Sequence, residues 1–209
     1  MKYDARARVY GWAFGRLLKG YLRENAPGVR AGERCREVKR EYRAMLKRTP
    51  GIGGAKNEAN LVGACYFFSM AKAIPGLSPQ SLDDFIAYCM DSRLMELAYR
   101  GMRKRGTLFS EKEQCSMLEE AEKSHRSAYE LDWEFTYCPG QDEFTLTYGR
   151  CGVCALAKLE GVEAYLPCMC RMDFPKYRLM GARLQRTKTL AEGEDCCDFH
   201  VVRDRPSRL

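Results

Sequence analysis

Sulfur is the most reactive group this chain offers, and it is concentrated. Eleven of 209 residues are cysteine, and six lie late in the chain: Cys151, Cys154, Cys168, Cys170, Cys196 and Cys197. Cys151-Gly152-Val153-Cys154 is a CxxC at the start of an expected helix, where backbone amides stabilise a thiolate. Its spacing alone fits a redox pair, half of a zinc site or two buried thiols. Cys170 and Asp173 stand three apart and would share a face on one helix. A thiol beside a carboxyl serves as nucleophile and proton carrier, or as two metal ligands. A buried Cys with a solvated Asp is the plainer alternative. The stretch Cys196-Cys197-Asp198-Phe199-His200-Val201 alternates as a strand does. Cys197, Phe199 and Val201 would face a core, while Cys196, Asp198 and His200 share the other face and could hold an acid/base pair. A bulge after Asp195 would change which sulfur points where.

Other chemistries find little to start from. His125 and His200 are the only histidines and neither sits in a zinc motif. There is no GxSxG, no Walker loop and no GxGxxG, so serine-triad and nucleotide-dependent enzymes of those classes are not expected.

The elements that must position these residues follow from periodicity. Helices are expected over Tyr3–Leu22, Glu33–Leu46 and Asn57–Ala73, with Thr49–Gly54 a Pro/Gly loop. Ser78-Pro79 starts another helix, whose apolar stripe from Leu82 to Leu97 ends near Gly101. Ser110 and Glu113 form a capping box for a helix to about Ala128. The pattern then changes to a hairpin, with Trp133–Tyr137 and Phe144–Tyr148 flanking a Pro-Gly-Gln-Asp turn. Helices are expected over 152–160 and 163–179, strands over Leu184–Leu190 and Cys196–Val202, and a polar tail from Arg203 to Leu209. The expected fold class is α+β: a helical N-terminal part packed with a small antiparallel sheet and helices in the C-terminal part. Residues 1–130 and 131–209 are either two regions or one single domain.

Composition sets the frame. The chain is 45% hydrophobic and 30% charged, as in globular proteins. No apolar run approaches the roughly 18 residues of a membrane span. The N-terminus lacks the apolar core of a secretion signal, and the cysteine count is odd, so a reduced, cytoplasmic chain is expected. Net charge is +7, and residues 1–48 carry 14 Lys/Arg against 5 Asp/Glu. With no nucleic-acid motif beside it, that charge reads as a solvated helical face, with neither nucleic acid nor membrane as partner.

Three ordered blocks now carry a resemblance. They are Tyr148-Gly149-Arg150-Cys151-Gly152-Val153-Cys154; Leu166-Pro167-Cys168-Met169-Cys170-Arg171-Met172-Asp173; and Arg186-Thr187-Lys188-Thr189 running through Gly193, Asp195 and Cys197 to Asp198-Phe199. Together they resemble the L-2-amino-thiazoline-4-carboxylic acid hydrolase family, and Ile52–Asn57 with the following helix is similar to its helical half. The resemblance implies hydrolysis of a cyclic amidine-like C=N bond, opening L-2-amino-thiazoline-4-carboxylate to S-carbamoyl-L-cysteine on the path to cysteine. It carries over Cys151, Cys170, Asp173, Thr189, Gly193, Cys197 and Asp198. A cysteine, Cys170 or Cys197, would be the nucleophile, with Asp173 or Asp198 as acid/base. Arg186 could hold the substrate carboxylate, with Thr189, Gly193 and His200 beside it. Cys168 and Cys196 are extra sulfurs, and His200 stands where an Arg is common. The tail from Gly193 to Phe199 is also similar to 4-vinyl reductase domains, which implies a small-molecule or zinc-binding sensory module as the alternative. No cofactor is expected for the hydrolase. Zinc on the Cys thiolates is the competing use of the same residues. The partner is a small heterocyclic substrate.

Overall fold

The computed structural model describes residues 1–53 and 56–204. Gly54 and Ala55 of the expected loop and family-like stretch, and residues 205–209 of the expected tail, lie outside it. The fold is α+β. The chain divides into two compact units, each assembled from separated stretches, and their limits do not coincide with a cut at 130/131.

The first unit comprises Met1–Cys89, Tyr129–Leu131 and Gly152–Met169. It contains α1 (Ala5–Asn25), α2 (Ala31–Arg48), α3 (Glu58–Ala73), nearly all of α4 (Pro79–Met90), α7 (Gly152–Glu160) and most of α8 (Leu166–Arg171). Asp4 caps α1 by accepting a hydrogen bond from the Ala7 amide, as a short carboxylate does at a helix start. α3 is apolar almost all round and is buried continuously from Ala64 to Met70, which marks it as the central helix. Aromatic side chains fill the space about it: the Phe14 and Phe67 rings meet edge-on at 4.9 Å, and Tyr66 is tilted against Phe14 and edge-on to Tyr42. One buried charge belongs to this unit. Glu160, 3% exposed, accepts from Arg48 at 2.6 Å and Lys72 at 3.0 Å, tying α7 to α2 and α3. The arginine hydrogen bonds outweigh burial and hold its carboxyl below the usual range.

The second unit comprises Met90–Ala128, Asp132–Cys151 and Cys170–Leu209. It contains α5 (Arg93–Arg105), α6 (Glu111–Ser124), α9 (Asp173–Leu179) and a four-stranded antiparallel sheet. The strands are β1 (Glu134–Cys138), β2 (Glu143–Arg150), β3 (Ala182–Gln185) and β4 (Cys197–Arg203), in the order β1-β2-β4-β3. Phe135, Tyr137, Phe144, Leu146, Leu184, Cys197, Phe199 and Val201 lie on the buried face. β4 alternates from Cys197 onward with no bulge after Asp195, so Cys197 faces the core and Asp198 and His200 face away.

Three expected elements change. The helix over 78–101 is two helices, because Ser92 caps a new start by accepting from the Met95 amide. The helix over 163–179 breaks at Met172. Pro175 has no N–H for the Arg171 carbonyl, and its ring crowds that carbonyl. The strand expected over 184–190 runs only from Ala182 to Gln185. Beyond it the backbone leaves the sheet and wraps round the Asp198 side chain.

Candidate functional site

The segment between β3 and β4 is shaped by its own polar side chains. Asp198 accepts from the Thr187 amide at 2.9 Å, the Lys188 amide at 2.5 Å and the Thr187 hydroxyl at 2.5 Å. Burial opposes its ionisation, but these donors outweigh burial and hold the carboxyl below the usual range. Thr189 caps the short turn Leu190–Glu192 by accepting from the Ala191 amide at 3.0 Å. Gly193 ends that turn at φ 86°, a left-handed conformation that glycine adopts without strain.

This turn brings Thr189 and Leu190 onto two thiols. The Thr189 hydroxyl donates to Cys170 Sγ at 3.8 Å, a long contact of the kind sulfur makes. The Leu190 amide donates to Cys197 Sγ at 3.3 Å. Cys197 is 6% exposed, whereas Cys170 is half-buried. Burial pushes the Cys170 thiol up to about 12, against the pull of the Thr189 hydroxyl. Burial also raises the Cys197 thiol, partly offset by the Leu190 amide. Both thiols are therefore neutral at rest. Cys151 is half-buried, follows the last residue of β2 and interacts electrostatically with both sulfurs.

Arg186 is the linchpin of the polar side. Its guanidinium donates to Asp173 Oδ2 at 3.2 Å and to the Cys170 carbonyl at 3.1 Å. It lies between two aromatic faces, with its central carbon 5.0 Å from the Phe174 ring and 5.1 Å from that of Phe199. The side chain is 5% exposed. The break at Met172 leaves the Cys170 carbonyl to a partner other than the helix, and Arg186 supplies it. Cys170 and Asp173 are thus not on one continuous helix. They flank a break that a single guanidinium spans. Burial raises the Asp173 carboxyl above its ordinary range, against the pull of Lys176 and Arg186. Tyr148 and Tyr177 stand near this carboxyl, and both phenols are raised, first by burial.

The expected residues therefore separate. Cys170, Asp173, Thr189, Arg186 and Cys197 come together on the core side of the turn, with Cys151 near. Asp198 and His200 project from the opposite face of β4. His200 bonds Gln185 at 3.1 Å and Glu143 at 2.9 Å, and Asp198 is consumed by the turn. Arg186, expected beside a substrate carboxylate, has its guanidinium bonded to protein groups between two rings. Gly193 shapes the backbone. Of the extra sulfurs, Cys168 donates to the Pro79 carbonyl at 3.3 Å within the first unit. Cys196 lies outside β4, next to Asp195. Among the described residues, no three His, Cys, Asp or Glu side chains are grouped to hold a metal ion. Phe174, Tyr177 and Tyr148 escaped the sequence reading. The signal for the first two was their position one and four residues after Asp173, and Tyr148 stood in the first family-like block.

Compared with known proteins, residues 55–201 match the family described as L-2-amino-thiazoline-4-carboxylic acid hydrolase. That stretch is more than half of the chain and includes Gly193 to Phe199; the 4-vinyl reductase likeness of the tail is not shown by it. No curated protein and no solved structure matches the chain.

Proposed function

The chain belongs to that hydrolase family, and we propose that it opens a cyclic amidine-like C=N bond, with Cys170 as nucleophile and Asp173 as proton carrier. The substrate is a small heterocycle such as L-2-amino-thiazoline-4-carboxylate. The observation that carries this reading is the arrangement about Cys170: its sulfur meets the Thr189 hydroxyl, and its carbonyl and Asp173 are held by one buried guanidinium. Cys170 is preferred to Cys197 because the residue is half-buried where Cys197 is buried, and its sulfur meets a side-chain hydroxyl where that of Cys197 accepts from a backbone amide.

The neutral thiol adds to the ring carbon between sulfur and nitrogen. A sulfur–carbon bond forms, and the thiol proton moves to the ring nitrogen through the Asp173 carboxyl, whose raised affinity for protons suits it to hold one briefly. The carbon–nitrogen ring bond then breaks as the exocyclic nitrogen forms a C=N bond to the same carbon and gives one proton to the ring nitrogen, which is freed as the amine. Water attacks the same carbon and displaces Cys170, which recovers its proton. The sum is one water added and the ring opened to S-carbamoyl-L-cysteine. Arg186 positions Asp173, and Asp198 positions Thr189.

The test is incubation of the reduced protein with L-2-amino-thiazoline-4-carboxylate, followed by mass spectrometry of the small molecule. Gain of one water, dependent on the protein, is expected. An unchanged ring after prolonged incubation would overturn this substrate.

A further inference from the structure

Helix α1 carries a face that its own unit does not use. Arg8, Val9, Trp12, Arg16, Lys19 and Arg23 recur at steps that keep them within roughly 100° of arc on one side. All six are exposed, Val9 at 63% and Trp12 at 62%. Ala7, Phe14, Leu18 and Leu22 occupy the buried side. No acidic residue occurs from Ala5 to Arg23. On α2 the position is different, since Glu33, Glu37 and Glu41 each pair with an arginine. None of the four α1 cations in the stripe pairs with an acid among the described residues.

We propose that this face of α1 docks on an anionic lipid surface. A merely solvated face does not account for Val9 and Trp12 in its midst. An indole held at headgroup level, with an aliphatic neighbour entering the acyl boundary and cations on the phosphates, uses all six residues. The long Arg and Lys stems let the charges reach phosphates while Val9 goes deeper. A second copy of the same face would bring eight like charges together. Nucleic acid would use the cations but has no role for Val9. The association is peripheral, because no helix among the described residues is long and apolar enough to cross a membrane. From sequence alone the same charge is expected to be a solvated face without a membrane partner.

The chain carries its own probe. It has two tryptophans, and Trp133 is 6% exposed, so a change in emission on binding reports Trp12. The experiment mixes the full chain with vesicles of phosphatidylcholine alone or vesicles rich in phosphatidylserine, and reads co-sedimentation and Trp emission. The proposal expects partition to the phosphatidylserine vesicles with a blue shift, both suppressed by high salt. Arg8→Glu and Arg16→Glu should each weaken partition about fivefold or more. Trp12→Ala should abolish the blue shift and weaken partition while leaving circular dichroism unchanged. Absence of partition overturns the proposal, as does equal partition to neutral vesicles. Binding of a DNA duplex without vesicle binding overturns it in favour of nucleic acid.

Discussion

At the scale of single residues, burial makes two groups, Cys170 and Asp173, hold their protons more tightly than usual. Burial raises the Cys170 thiol to about 12, so alkylation of this cysteine by iodoacetamide should be slow at neutral pH and accelerate through the alkaline range. Rapid modification at neutral pH, located by peptide mapping, would contradict the description of the thiol. Asp173 shifts in the same direction. Its native proton affinity exceeds that of the unfolded chain, whose ordinary value is 3.8. The native state therefore keeps a proton that the unfolded chain has lost. The stability this group contributes is complete below the ordinary value and is lost as pH rises through the native value. Asp173→Asn should remove that decline, so wild type should lose stability relative to the variant as pH rises. Denaturant titrations across that range would show parallel curves if the shift were absent. The residues themselves were legible early: spacing singled out Cys170 with Asp173, and the blocks singled out Arg186 and Thr189. What Arg186 touches was not legible, because its partners lie 13 and 16 residues away in sequence. A cation in a functional stretch reads as a substrate contact until the rings on both sides of it are seen.

At the scale of elements, the turn after β3 decides the geometry. Asp198 gathers Thr187 and Lys188 from across the β3–β4 connection and so sets where Thr189 stands. Asp198→Ala should destabilise the protein by about 1–2 kcal/mol, comparable with loss of a helix cap. It should also lower kcat, because Thr189 no longer meets Cys170. Calorimetry with steady-state kinetics checks both, and a variant with normal turnover would remove Asp198 from the positioning of the site. Alternation predicted the faces of β4 correctly, since period two is a local property. The length of β3 was not predictable in the same way. Thr187 and Thr189 are β-favourable in sequence, whereas the carboxylate of Asp198 on the neighbouring strand holds the Thr187 and Lys188 amides outside the ladder. The break at Met172 was readable in principle from Pro175, which cannot sit in the fourth position of an unbroken helical turn without loss. The periodicity of the flanking residues masked it.

At the scale of the whole molecule, the α+β class followed from the change of period near residue 130, but the division into units did not. Stretches distant in sequence are joined by apolar burial and by side chains such as Glu160, which lies 112 residues from Arg48 and 88 from Lys72. Glu160→Gln leaves Lys72 without this counter-charge and Arg48 with Glu41 alone. It should cost about 2 kcal/mol, below the range for fully buried pairs because Arg48 and Lys72 reach water. Wild type should lose that advantage as pH falls through the depressed carboxyl value, since the contribution of Glu160 is present above the ordinary Glu value. Thermal melts of the two proteins at neutral and acid pH test this, and equal melting temperatures at neutral pH would make the pair energetically idle. The charge pattern of the first 48 residues was legible by counting, whereas Trp12 at its centre became meaningful only when the opposite side of α1 was seen to be buried.

The central claim is that Cys170 supplies the nucleophile. The most direct measurement compares ring opening of L-2-amino-thiazoline-4-carboxylate by wild type and by Cys170→Ser, Cys197→Ser and Cys151→Ser, with circular dichroism confirming that each folds. Loss of a nucleophile removes interactions specific to the transition state, so kcat for Cys170→Ser should fall about a thousandfold or more. Cys197→Ser and Cys151→Ser should retain measurable turnover. Full activity in Cys170→Ser, or a collapse confined to Cys197→Ser, would contradict the assignment.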